Sequence, residues 1–282
     1  MKKKLLVSFL LVAMILCLCS CSKKNDDSTF SIYFIDVGQG DSALVECDGH
    51  YMLIDGGDKT AGEKVYNVLE EKEIQKLDIL AVSHLHADHI GGLAKALTYA
   101  SKIGLTLANS KYSDTDAFKK FEHELSTNGS KITIPAIGDK YELGSAMVEV
   151  VDVGADEEND SLVLLITYGD TKFLFTGDIE KDAQTRISEK YQNESDDVYK
   201  VSLIKMPHHG SYSETLYRFL RTFMPEYVVI SVGASNIYGH PDQKTLDLLY
   251  SKTWKPKVYR TDLNGDIIVK SNGKELFIET SK

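Results

Sequence analysis

The amino-acid sequence predicts a mixed α/β (α+β) domain in which two β-sheets pack face to face with helices outside. Three observations carry this expectation. Short apolar and β-branched runs open the chain after residue 29, the periodicity then switches to alternating strands and amphipathic helices, and the same order returns in the second half.

The first twenty residues stand apart from that domain. Lys2, Lys3 and Lys4 precede an apolar run over 5–18 that ends in Leu18-Cys19-Ser20-Cys21, the layout of a cleaved export signal. The run falls short of the roughly 20 residues of a membrane span. Residues 18–21 resemble the lipobox of bacterial lipoproteins. That likeness implies a signal peptide over 1–20, a lipidated Cys21 with a flexible tether over 21–29, and a folded domain over 30–282. The expected location is extracytoplasmic, on the bacterial cell membrane, held through the lipid. No obligate protein partner is inferred.

The 261 residues after Cys21 suffice for one large core. The signal takes three of the 32 basic residues and none of the 42 acidic ones, so the rest carries 29 against 42, a formal charge of −13. Such a surface repels polyanions. Of four cysteines, Cys17 and Cys19 leave with the signal and Cys21 takes lipid, so no disulfide framework exists and Cys47 is expected as a small core residue.

Residues 31–36, 43–47 and 51–54 read as strands of a β-meander with Gly- and Asp-bearing turns. Val65, Val68 and Leu69 recur at helical spacing within 61–72, and 79–82 is again strand-like. A helix is expected near 115–125 and a long strand at 146–151. Residues 162–167 and 172–175 form a hairpin across Gly169-Asp170. The last third alternates: helix 180–190, strand 201–206, a helix carrying Leu216, Phe219, Leu220 and Phe223, strand 227–232, a helix with Leu246 and Leu249, then strands around Val258, Ile267 and Leu276.

The chemistry concentrates at strand ends. Ser83-His84-Leu85-His86-Ala87-Asp88-His89 follows the strand 79–82 and holds four ligand-type side chains within six residues. In extended backbone, residues two apart point the same way, so His84 and His86 can reach one metal ion while Asp88 and His89, past the bend, reach a second. Gly91 and Gly92 let the backbone turn nearby. Burying three histidines and an aspartate together without such partners is costly.

This H-x-H-x-D-H arrangement resembles that of the metallo-β-lactamase superfamily, whose fold is a four-layered αββα sandwich. The likeness implies a metal-bridging aspartate at Thr176-Gly177-Asp178. Asp36-Val37-Gly38-Gln39-Gly40-Asp41-Ser42, Asn159-Asp160-Ser161-Leu162, Lys205-Met206-Pro207-His208-His209-Gly210-Ser211 and Gly239-His240-Pro241 resemble the hydrolase domain of the DNA-uptake protein ComEC and its stand-alone relatives. The glycine loop lacks the third glycine and the helix of a dinucleotide site. The resemblance places Asp36 and Asp41 beside the metal cleft, where they orient ligands.

His208 and His209 both end a strand, so position alone leaves the ligand open, and the resemblance favours His209. His208 then holds substrate or a neighbouring carboxylate, and His240 serves as proton donor or substrate contact. His50 and His123 fall on a turn and a helix, with no metal role. No histidine lies between His123 and His208, where the superfamily supplies a third imidazole; Asn159 stands there instead. An amide oxygen is a harder and weaker ligand, so one or two divalent ions are expected, zinc first and manganese as the alternative.

Such an ion lowers the pKa of a bound water from about 15.7 towards 7, which makes a metal-activated hydroxide the expected nucleophile, with Asp88 guiding its proton. The expected function is a metal-dependent hydrolase, a phosphodiesterase or nuclease in preference to a lactamase. Single-stranded DNA is the substrate the resemblance suggests, and a cell-envelope phosphodiester suits the acidic surface better. The alternatives are a phosphocholine-type esterase acting on cell-envelope polymers and a catalytically weak, metal-stabilised binding lipoprotein.

Overall fold

Side chains that alternate between the two faces of the first strands show how the two layers are specified. In a computed structural model that describes residues 30–154, 160–192, 199–251 and 254–282, Phe30–Phe34 (β1), Ala43–Cys47 (β2) and His50–Ile54 (β3) form an antiparallel meander. Ala43, Val45 and Cys47 face the other sheet, while Leu44 faces the helices. Cys47 is fully buried and free, as its surroundings predicted. The expected signal, the tether and Asn159 lie outside the described residues.

The period then changes. Helix Gly62–Glu71 (α1) leads into strand Lys76–Val82 (β4), two short helices Ala87–Ile90 (α2) and Leu93–Ala96 (α3), and strand Lys102–Ala108 (β5). Helix Asp116–Thr127 (α4), capped by Thr115, whose hydroxyl accepts the Phe118 N–H at 3.2 Å, precedes the short strand Ile132–Thr133 (β6). Strands β3 to β6 run parallel. Val65, Leu69, Phe118 and Phe121 of the helices cover the outer face of this sheet.

The second sheet repeats the plan. Lys140–Leu143 (β7), Ala146–Asp152 (β8), Val163–Tyr168 (β9) and Thr171–Phe175 (β10) are antiparallel, and the last two turn at Gly169-Asp170. Helix Lys181–Gln192 (α5), strand Leu203–Lys205 (β11), the 3-10 turn Pro207–Gly210, helix Leu216–Phe223 (α6), strand Tyr227–Ile230 (β12), helix Gln243–Leu249 (α7) and strand Lys257–Arg260 (β13) follow, with β10 to β13 parallel. After helix Thr261–Asn264 (α8), strands Ile267–Ser271 (β14) and Leu276–Thr280 (β15) return to the first sheet.

Among the described residues the orders are β15-β14-β1-β2-β3-β4-β5-β6 and β13-β12-β11-β10-β9-β8-β7. The three strands that close the chain are divided between the sheets. The β13 strand ends the second sheet, while β14 pairs with β1. Between the sheets Phe30 stacks on Tyr168 at 5.0 Å and Phe173 at 4.8 Å, and Phe34 on Phe175 at 5.7 Å. Each sheet changes from antiparallel to parallel pairing, at β3 and at β10. The carboxyl ends of the parallel strands beside those switch points open a crevice, the usual place for a site in such sheets. Among the described residues no helix is long and apolar enough to cross a membrane.

Candidate metal centre

Among the described residues, most groups that could hold an ion follow the carboxyl end of one of those strands, and Asp41 lies in the β1–β2 loop. Asp55 follows β3, His84 to His89 follow β4, Asp178 follows β10 and His209 follows β11. One oxygen lies at the middle. Asp178 Oδ2 is 3.3 Å from His89 Nε2, 3.6 Å from His209 Nε2, 3.8 Å from His208 Nε2 and 3.9 Å from His84 Nε2.

Hydrogen bonds behind these rings fix which nitrogen faces inward. The Ser231 carbonyl can only accept, so His209 Nδ1, at 2.9 Å, carries the proton and Nε2 is turned to Asp178. His89 Nδ1 donates to Asp55 Oδ2 at 2.9 Å in the same way. The Ser83 hydroxyl donates to Asp55 at 2.7 Å, so it accepts from His84 Nδ1 at 3.0 Å. His84 Nε2 then meets His86 Nδ1 at 3.0 Å. Two ligand nitrogens on one zinc ion, each about 2.0–2.1 Å away, stand comparably close.

Two candidate ion positions result, both within reach of Asp178. Asp88, His89, Asp178 and His209 form one compact set of ligand atoms, and the His84–His86 pair lies beside it. Asp178 Oδ1, His89 Nε2 and His209 Nε2 are buried without a hydrogen-bond partner. Buried polar atoms are seldom left so, and imidazole with carboxylate is a donor set that divalent ions accept. The residues fit a divalent cation.

Backbone strain is stored at the same place. His208 (φ 45°) and His209 (φ 52°) are successive left-handed residues, each disfavoured by roughly 1–2 kcal/mol without a glycine. Their turn is held by the His208 N–H to the Gly177 carbonyl at 3.1 Å and the Ser211 N–H to the His208 carbonyl at 2.8 Å. The strain aims adjacent rings differently. His209 is buried in the cluster, whereas His208 is partly exposed with Nδ1 on Glu180 at 2.8 Å.

The profile of the metallo-beta-lactamase superfamily matches residues 35–233. The chain belongs to that superfamily. Its two-sheet sandwich also resembles the metallo-beta-lactamase fold protein YhfI of Bacillus subtilis, with a TM-score of 0.54 and 12% identity over 81% of this chain and 96% of that one. It is 31% identical to ComE operon protein 3 of Bacillus subtilis over 83% of its length, and 26% identical to competence protein ComA of Neisseria gonorrhoeae over 82%. These spans cover 32% and 30% of those proteins, so the chain equals about a third of the relatives it matches. The likeness to DNA-uptake proteins read from the motifs agrees with these relatives. As a member of the metallo-beta-lactamase superfamily, with this donor set, the chain is a metal-dependent hydrolase.

Within that superfamily frame, the structure brings together His84, His86, Asp88, His89, Asp178 and His209, with His208 at the edge. His240 stands behind His208, ring to ring at 5.4 Å. Asp41 lies beneath, 3.4 Å from His209 Nδ1 and 3.9 Å from His89 Nδ1. Asp36 lies elsewhere. Its N–H donates to Asp266 Oδ1 at 2.7 Å, and its carboxylate pairs with Lys282 at 3.0 Å.

Three contributors escaped the sequence reading. Asp55 orients His89 and Ser83, and its position after β3 and before Gly56-Gly57 was the available signal. Ser161 accepts the Asp178 N–H at 2.9 Å. Lys205, which opens the Lys205-to-Ser211 motif but was given no role there, is buried against Asp41.

Charge in this cluster is balanced by protons when metal is withheld. Burial opposes a positive charge on His89, but Asp178 and Asp55 outweigh it and hold the ring well above its usual pKa. Burial likewise opposes His209, and Asp178 with Asp41 pushes it up to about 9. Burial and the charge on His89 depress His84, which stays neutral.

A raised pKa stabilises the metal-free fold below about 6.5 and loses that contribution as pH climbs through about 9 for His209. Loading metal near pH 7 must expel the protons on both Nε2 atoms. Calorimetric titration in buffers of different ionisation enthalpy is expected to show release of about two protons per cluster, with apparent affinity rising with pH. Binding without proton release would contradict this arrangement.

Proposed function

We propose that the chain is a phosphodiesterase acting outside the cytoplasm, anchored to the cell membrane through lipid on Cys21. The observation that supports it most is the position of Asp178 Oδ2 among four imidazole nitrogens, at 3.3 to 3.9 Å. Divalent cations held by these residues would supply positive charge to stabilise a displacement at phosphorus. Zinc is the favoured ion, and manganese suits a first site that lacks a third imidazole.

A divalent cation held by His84, His86, Asp88, His89, Asp178 and His209 supplies Lewis acidity and an acidified water. The chain's own groups do the rest. Burial works against the Asp88 anion, but the His209 ring, with Nε2 3.3 Å from Asp88 Oδ2, and the charge of His89 keep its carboxyl below the usual range. Asp88 therefore orients a water by accepting its hydrogen bond and stores no proton itself.

His208, fixed through Nδ1–H by the Glu180 carboxylate, presents Nε2 towards Asp178, and in its imidazolium form that second nitrogen donates to a phosphoryl oxygen. Burial and the charges of His208 and His209 lower the pKa of His240, whose ring is then neutral and contacts the substrate or relays a proton.

The formal charge of −13 after the expected signal opposes binding to long nucleic acid, whose affinity comes largely from basic contacts to phosphate. A short single strand or an envelope phosphodiester is the better match. The test is release of nitrophenol from a phosphodiester, a phosphocholine ester and a chromogenic lactam by metal-loaded protein, with His86→Ala as control. The expected order is phosphodiester first, with His86→Ala lowering turnover at least about tenfold. Metal binding with no turnover of any ester would replace this reading with a binding lipoprotein, and preference for the choline ester would replace it with an esterase.

A further inference from the structure

Outside the cluster, the segment from Gly233 to His240 combines an unusually closed hydrogen-bond clamp with an unusually open tip. Asn236 Oδ1 accepts the N–H groups of Tyr238 at 3.1 Å and His240 at 3.0 Å. Its Nδ2 donates to the carbonyls of Gly233 at 3.0 Å and His240 at 2.6 Å. One amide thus spends both donors and two acceptor sites on its own loop, which holds the loop rigid. Yet that rigid loop presents Ile237 at 91% exposure and Tyr238 at 64%.

The Tyr238 ring is placed with care. It lies over His240 with centroids 5.9 Å apart and planes 25° from parallel. His240 is 5.4 Å from His208, whose Nε2 lies 3.8 Å from Asp178 Oδ2. A line of rings therefore leads from the carboxylate outward and ends on an exposed aromatic ring.

We infer that Tyr238 is a specificity-determining residue that stacks a flat aromatic group, such as a nucleobase, on the ester being cleaved. The inference rests on the phosphodiesterase reading for its chemistry. Stacking is sequence-tolerant because every base has a π-face, and it contributes affinity separately from charge. The rigid clamp keeps the ordering cost low.

The experiment is calorimetric binding of thymidine 5′-monophosphate and of methyl phosphate to the metal-loaded full chain. The first ligand is expected to bind roughly tenfold tighter than the second. Tyr238→Ala removes that difference and leaves methyl phosphate binding and metal content unchanged, while Tyr238→Phe keeps it. Equal weakening of both ligands, or no change in either, overturns the assignment. So does loss of binding to phosphatidylglycerol vesicles with nucleotide binding intact, which would make the tip a membrane contact. Failure to hydrolyse any phosphodiester while the binding difference persists counts against the phosphodiesterase reading alone.

Discussion

Asp178→Ala is expected to lower kcat/KM for a phosphodiester by more than roughly a hundredfold, beyond what loss of an orienting group behind a ligand produces. The same change should strip bound metal during dialysis. The reason is geometric, because Asp178 Oδ2 lies within 3.9 Å of His89, His209 and His84, which belong to both candidate ion positions, so its loss affects both. Removing it also leaves cationic His89 and His209 buried with less compensation, so the metal-free variant should be less stable at neutral pH. Elemental analysis after gel filtration, paired with initial rates, checks both parts. Full metal occupancy and wild-type turnover in the variant would sink the shared-carboxylate account.

The second large effect concerns a residue that touches no candidate ligand nitrogen. Lys205, with a side chain only 4% exposed, pairs with the Asp41 carboxylate, which in turn meets His209 and His89. Burial raises Asp41, but Lys205 and then His209 outweigh it and hold the carboxyl below its usual pKa. Lys205→Met leaves that buried anion without its main partner and is expected to destabilise the metal-free protein by about 3–5 kcal/mol. Denaturant unfolding in chelator measures it, and the double variant Lys205→Met with Asp41→Asn should recover much of the loss. A cost no larger than that of a surface lysine would show that the pair does not hold the floor of the cluster.

How much of this could be read from the chain depended on the range of the interactions. The meander and the hairpin at Gly169-Asp170 are local, set by alternation and turn chemistry, and both were legible. The return of β14 to pair with β1 was not. Phe30 meets Ser271 across the whole chain, and nothing within a short window encodes that pairing. The strand at 203–205 came out shorter than the apolar run at 201–206 suggested, because Met206 already leads into the strained turn.

The site shows the same divide. His84 to His89 announced themselves because four ligand side chains share one strand end. Asp55 did not, since it lies 34 positions before the His89 that it orients. Asp36 and Asp41 sit in one glycine loop and looked equivalent, but Gly38 (φ 75°) and Gly40 (φ 136°) reverse the backbone between them. A Cβ at Gly40 would collide with the Asp88 carbonyl. That close approach puts Asp41 under the cluster and leaves Asp36 bound to the Asp266 and Lys282 side. Asn159, expected near the first ion, lies outside the described residues.

The most direct test of the central claim is anomalous diffraction from crystals of the metal-loaded protein. The account predicts an ion bonded at about 2.0–2.2 Å to His89 Nε2, His209 Nε2 and the Asp178 carboxylate, with a second anomalous peak between His84 Nε2 and His86 Nδ1 when both positions fill. Loaded protein that shows no anomalous peak within bonding distance of Asp178 would contradict it.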